Sequence, residues 1–397
     1  MSVAIVNIGD SHRGDLTGSR ISGDALVCED DRISWIGDSG EVGRADHETV
    51  IDANGAALVP GFIDSHVHIT FGDYTPRQRT VGFLESYLHG GMTRAISASE
   101  VHVPGRPNDV TGVKALAIAA ERCFRDYRPG GVAVHAGSVI LEPELTAEDF
   151  SELREAGVWL AKAGFGAFET PMDYVPVVRA AQEAGLIVMS HTGGGSIPGS
   201  QSKIDAETLL AMRPNIAGHV NGGPTALEPE ENARMVEEGE GIALQLAQAG
   251  NLRSAINIAK RVLEADCLER LLISTDTPTG TGMVPLGLLH LMAELASLGP
   301  LSGRQAIAAV TGSVAEVYGL DVGKIEPGKP ADLLLIDAPV GSAAREAVQA
   351  LETGDVPAVA VAITAGVVRF TKSRNTPVPQ RSVSVRSGQE SSDIVSR

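Results

Sequence analysis

The sequence predicts an α/β fold: a (β/α)8 TIM-like barrel carrying a small discontinuous β-sandwich unit built from both chain ends. Three observations lead there. Eight short apolar segments between residues 62 and 276 alternate with helix-patterned stretches, the rhythm of parallel strands joined by helical crossovers. Both ends of the chain instead break into brief β-like runs separated by Gly, Asp and Asn. Finally, His and Asp residues stand at the ends of several of the eight segments, and a barrel gathers its strand ends on one rim. A doubly wound sheet would not collect side chains from so many of them.

In chain order, residues 1–60 form the first part of the β-unit, with strands at 2–8, 25–28, 33–36 and 50–52. The barrel spans 61–322, with strands at 62–68, 93–98, 132–140, 158–165, 186–191, 216–220, 242–247 and 271–276. Between the second and third, Val113, Leu116, Ala117, Ala120, Phe124 and Tyr127 recur at the spacing of one helix face. Thr146 with Asp149 forms a capping-box pattern opening a helix that ends near Ala156. Residues 323–379 complete the β-unit, with a turn and strand at 324–337 and a β-rich piece at 359–371. Residues 380–397 are Ser-rich and polar, with little to bury, so disorder is expected there.

The 397 residues accommodate one large barrel and a small extra unit. With 43% hydrophobic and 21% charged residues, the composition is globular and excludes collagen, coiled coil and wholesale disorder. Fifty acidic against 32 basic residues leave a net charge of −18, which repels phosphate backbones and anionic membranes. No nucleic-acid or membrane partner is expected. Three distant cysteines without a CxxC pair read as reduced thiols of a cytoplasmic protein. Residues 1–14 lack the apolar run of a signal peptide, and no apolar run is long enough to span a bilayer.

The strongest chemical signal is Asp64-Ser-His-Val-His68. On a strand, positions 66 and 68 face the same side, so both imidazoles converge on one point. Two neutral nitrogen ligands at that spacing suit zinc or another borderline divalent metal. His191 ends the fifth segment, His219 the sixth and Asp276 the eighth. Jointly these groups point to a metal site in the mouth of the barrel. His135 on the third segment either lines that mouth or makes a core hydrogen bond. Tyr74, Arg77 and Arg79 follow the first strand over the mouth. An arginine there either forks onto a substrate carboxylate or stays a surface charge of the first helix. Thr192-Gly-Gly-Gly-Ser196 lacks the frame of a phosphate loop and suits close backbone approach to a substrate instead.

Pro60-Gly-Phe-Ile-Asp-Ser-His-Val-His68 and Gly328-Lys-Pro-Ala-Asp332 resemble the amidohydrolase superfamily, and the resemblance covers nearly the whole chain. Gly72-Asp-Tyr-Thr-Pro-Arg-Gln-Arg79, Pro104-Gly-Arg-Pro107, His191-Thr-Gly-Gly194, Asn221-Gly-Gly-Pro-Thr-Ala226 and Ser373-Arg-Asn-Thr-Pro377 are similar to its enamidase branch. That branch opens the cyclic enamide of 6-oxo-1,4,5,6-tetrahydronicotinate. The resemblance implies two divalent metal ions, zinc first, with a zinc–iron mixture or manganese as alternatives. His66, His68 and Asp276 would hold the more buried ion, and His191 and His219 the second. Lys162 would bridge them as an N-carboxylated lysine, as in most dinuclear relatives; in enamidase a glutamate stands near this place, so Lys162 is a departure.

The implied reaction is hydrolysis of a cyclic amide (lactam or enamide) C–N bond by a metal-bridging hydroxide, with Asp276 as general acid and base. A small, carboxylated cyclic amide is the implied partner, with Tyr74, Arg77, Arg79, His135 and Asn221 as substrate contacts and a homotetramer as the assembly. The alternatives are a ring-amine deaminase or another cyclic imide or imidazolone hydrolase of the same superfamily. Deaminases there usually run on one metal and lack the bridging lysine. A scaffold that has lost catalysis would lack several ligands, whereas all six candidates are present.

Overall fold

The computed structural model describes residues 2–68, 77–101, 105–194, 202–222, 226–278 and 282–387, with 77–81 described by backbone alone. Apolar strands parallel to one another occupy the middle of the chain, as the alternation predicts. Phe62–Val67, Met92–Ser97 and Ala133–His135 form one parallel sheet. Ser138–Ile140, Leu160–Ala163, Ile187–Ser190, Ile216–Ala217, Ala243–Ala247 and Leu271–Ser274 form a second, in sequence order. The third expected strand is therefore split at Ala136-Gly137, where Gly137 has φ +94°. The first and last strands meet as Asp276 N donates to His66 O (2.9 Å) and His68 N to Thr277 O (3.0 Å). This is the TIM-barrel type of α/β fold.

Strands buried on both faces need apolar partners on both. Towards the inside, Ile63, Ile96, Leu160, Met189, Ile216 and Leu272 pack with Val314 and Tyr318 from the helix at Gly312–Val317 and its C-cap. Outside, a larger cluster joins the opposite strand faces to the surrounding helices. In the helix Val110–Phe124, Val113, Ala117 and Ala120 are buried as the periodicity predicts. Tyr127 lies beyond the helix and is 41% exposed. Thr146 and Asp149 form the expected reciprocal cap of Ala147–Glu155.

The two chain ends build two five-stranded sheets. One runs Ser384–Ser387, Thr49–Asp52, Ser2–Val6, Ala25–Glu29, Arg32–Gly37, and the other Val367–Phe370, Ala358–Thr364, Leu333–Asp337, Ala57–Pro60, Asp10–Ser11. Ile5, Leu26 and Ile51 of the first share one apolar cluster with Leu58, Leu335 and Val361 of the second. A buried ion pair, Arg94 with Asp332 (Nε–Oδ2 2.8 Å), joins the second barrel strand to this unit. The expectation of disorder from 380 onward fails for Ser384–Ser387, which pairs antiparallel with Thr49–Asp52. Val383 and Val385 alternate onto the cluster there, enough apolar surface to hold an edge strand. Residues 388–397 lie outside the described residues. No helix among the described residues is long and apolar enough to cross a membrane.

Candidate metal centre

The first strand is buried along its whole length, so its polar side chains must find partners inside the protein. His66 and His68 converge as their spacing predicts: both Nε2 atoms lie 3.2 Å from Asp276 Oδ1. The three residues offer ligand atoms that all lie within 4.8 Å of one another. Lys162, on the fourth strand, is 1% exposed, and its Nζ stands 3.5 Å from His66 Nε2 and 3.4 Å from Met189 Sδ. His219 lies against His66 (ring centroids 5.3 Å) and His191 against His219 (4.5 Å). Four histidines, one lysine and one aspartate thus meet at the C-terminal ends of the first, fourth, fifth, sixth and eighth strands.

Backbone geometry is bent to achieve this. His219 and Asp276 adopt positive φ, +39° and +56°, a conformation that costs a side-chain-bearing residue about 1–3 kcal/mol and clusters at functional sites. Gly164, at φ +118°, leaves room for His191: a Cβ there would stand 2.4 Å from His191 Cβ.

Burial sets the protonation states. It pushes His66 well below its ordinary value, His68 to about 3 and His219 to about 4, so these imidazoles stay neutral and keep a lone pair for a cation. Burial also lowers Lys162 to about 8, against the opposing pull of Asp276. His219 Nδ1 is buried without a hydrogen-bond partner. A set of neutral buried imidazoles facing one carboxylate is a donor set that fits a borderline divalent metal.

Two supporting groups were not singled out in the sequence. Gln245, fully buried on the seventh strand, places Oε1 2.5 Å from His66 Nδ1 and donates from Nε2 to Ser65 Oγ at 2.7 Å. Its oxygen can only accept, so His66 carries its proton on Nδ1 and turns the Nε2 lone pair to the cluster. Asp64 accepts from Thr275 Oγ1 (2.5 Å) and Thr275 N (3.1 Å), tying the first strand to the eighth beside Asp276. Burial raises its carboxyl to about 7. A lone polar residue in an otherwise apolar strand was the available signal for Gln245.

Other expected contacts do not join the cluster. His135 packs edge-on against Trp159 at 5.7 Å and lines a separate cavity with Arg94 and Arg128. The chain breaks register just after it, at Gly137, so His135 is not carried to the rim. Asn221 is buried, and its amide exchanges two hydrogen bonds with the Ala247 backbone (2.9 and 2.8 Å). It ties the sixth strand end to the seventh instead of facing the mouth. Tyr74 and the side chains of Arg77 and Arg79 lie outside the described residues.

Comparison with known proteins bears on this centre. A profile of the amidohydrolase family matches residues 57–368. Enamidase of Eubacterium barkeri is 42% identical over 387 residues, 97% of this chain and 100% of that protein. The crystal structure of enamidase superposes with a TM-score of 0.91, covering 97% of this chain and 100% of the other. An imidazolonepropionase of Salinispora tropica is 27% identical over 356 residues, 79% of this chain and 86% of its own length.

Proposed function

This chain belongs to the amidohydrolase family, and from that premise we propose that it is a metal-dependent, enamidase-like hydrolase that opens a cyclic amide C–N bond. The convergence of His66, His68 and Asp276 beside the buried Lys162 carries the reading. In it, His66, His68 and Asp276 hold one divalent ion, His191 and His219 a second, and Lys162 stands between them. Zinc is the first candidate metal, with a zinc–iron mixture or manganese as alternatives. Bound ions of this kind supply a water ionised near neutral pH and a Lewis acid for the carbonyl.

The chain's own residues do the rest. A free ammonium on Lys162 would be repelled by two cations, so Lys162 serves as its carbamate. The neutral Nζ bonds to the carbon of CO2, one N–H proton leaves to solvent, and the product carries one negative charge. Burial that lowers Lys162 to about 8 enlarges the neutral fraction available for that step. Asp276 accepts a proton from the attacking water and passes it to the ring nitrogen as the C–N bond breaks. Gln245 holds His66 in the tautomer the centre needs. Arg77 or Arg79 would pair with a ring carboxylate, since the substrate class is anionic and the chain is strongly negative.

The same proposal divides the chain into a hydrolase barrel over 61–322 and a β-sandwich unit over 1–60 and 323–379. It includes a cytoplasmic homotetramer, which rests on the resemblance alone. The test is a panel of 6-oxo-1,4,5,6-tetrahydronicotinate, simple lactams, cyclic imides, an imidazolone and a ring amine such as cytosine, with and without a chelator. Chelator-sensitive opening of the carboxylated lactam is expected, read by mass as one added water. A product that keeps its ring and exchanges an amine for a carbonyl would replace this reading with deamination.

A further inference from the structure

The seam where the barrel changes sheets holds a cavity that the catalytic reading does not use. Ala133–His135 pairs with Met92–Ser97, and Ser138–Ile140 with Leu160–Ala163. The chain thus passes from one neighbour to the other at Gly137, and beside the start of the fourth strand a space of about 180 Å³ opens. Its lining includes Arg94, Glu121, Arg125, Arg128, His135 and Trp159, with Phe124 beside them. None of the metal-centre residues lines it.

The charges there do not balance. Arg94 is matched by Asp332 (2.8 Å) and Arg125, also on the wall, by Glu121 (2.6 Å). Among the described residues the Arg128 guanidinium has neither a carboxylate nor a hydrogen-bond partner. Arg369 adds a further cation close to Arg128: its Nε donates to Thr364 Oγ1 at 2.5 Å, and a Cβ on Gly131 would touch it at 2.3 Å. This local positive excess sits in a chain of net charge −18. His135 Nε2 is buried and has no hydrogen-bond partner. Burial first, then Arg94 and Arg128, keep its ring neutral, so it can present an N–H to a ligand. A buried polar atom left unpaired is costly, and an unmatched guanidinium forks readily onto an oxyanion.

We propose that this cavity is a second ligand site, for a small oxyanion, a carboxylate or a phosphate. The anion accepts from Arg128 and from His135 Nε2, and any apolar body it carries lies against Trp159 and Phe124. Trp159 reports on occupancy, because the chain has only one other tryptophan, Trp35.

The experiment titrates the metal-replete Trp35→Phe protein with inorganic phosphate and with benzoate at constant ionic strength, following Trp159 fluorescence, with calorimetry on the unaltered chain alongside. A saturable change with either anion is expected. Arg128 is exposed, so Arg128→Ala should fold, and losing its charged contact should weaken binding about tenfold or more. Removing the metals should leave the affinity unchanged. Absence of saturation by both anions would overturn the proposal, as would binding undiminished in Arg128→Ala. Saturation that disappears with the metals would assign the anion to the metal centre and overturn it as well.

Discussion

Gln245→Leu isolates the contribution of one buried amide to the metal centre. Leucine has nearly the volume of glutamine but makes none of its hydrogen bonds. The change strips His66 Nδ1 of its acceptor at 2.5 Å and Ser65 Oγ of its donor at 2.7 Å. Each polar group orphaned in the interior costs about 1–3 kcal/mol, so the folded protein should lose about 2–6 kcal/mol. His66 can recover part of this by moving its proton to Nε2, which removes the lone pair facing Asp276 and Lys162. Loss of such a supporting hydrogen bond lowers metal affinity about 10–100-fold. Competition against a chromophoric chelator measures that affinity, and urea unfolding measures the stability. Gln245→Glu, which keeps an acceptor for Nδ1–H, should hold the metal far better than Gln245→Leu. A folded Gln245→Leu protein with unchanged zinc affinity would refute the argument that this amide sets the His66 tautomer.

Other consequences follow from the same geometry. Gly164→Ala should lose metal content and activity while remaining folded, because its Cβ would meet His191 at 2.4 Å; full metal content would show that His191 is not a ligand. Asp332→Asn strands the buried Arg94 guanidinium and should cost about 3–5 kcal/mol in urea unfolding; a loss below about 1 kcal/mol would mean the pair is effectively solvated. His12, lowered to about 4 chiefly by burial, stays neutral when folded and takes a proton at about 6.5 when unfolded. Stability present above about pH 6.5 is therefore lost as pH falls towards 4, at up to about 1.4 kcal/mol per pH unit for this one proton. His12→Asn, which keeps an acceptor for Gly14 N, should flatten that slope in unfolding midpoints across the window; an unchanged slope would refute it.

Much of this was legible in the sequence because the signals are periodic. Alternating apolar segments specify parallel strands, and polar residues at their ends land on one rim, so His66, His68, His191, His219 and Asp276 group from the pattern itself, whereas Lys162 joins them only through the resemblance to the amidohydrolase superfamily. What escaped was set by register and pairing. Gln245 looks like one polar interruption of Ala243–Ala247, and only the packed barrel brings it against His66. His135 occupies an equivalent position in the alternation, yet the break at Gly137 separates it from the rim. Asn221 sits inside a conspicuous motif, but its amide serves the Ala247 backbone. The strand Ser384–Ser387 was hidden by its serines, although Val383 and Val385 carry enough alternation to find a sheet edge.

The central claim is that this cluster is a two-metal centre with Lys162 between the ions. Elemental analysis of metal-replete protein tests it directly, read together with Lys162→Ala in the presence and absence of formate or acetate. Two equivalents of divalent metal are expected in the unaltered chain. Lys162→Ala should lose most of the metal and the activity, and the small acids should restore part of both. One equivalent or less in the unaltered chain would contradict the account, as would a fully active Lys162→Ala protein that keeps two bound ions.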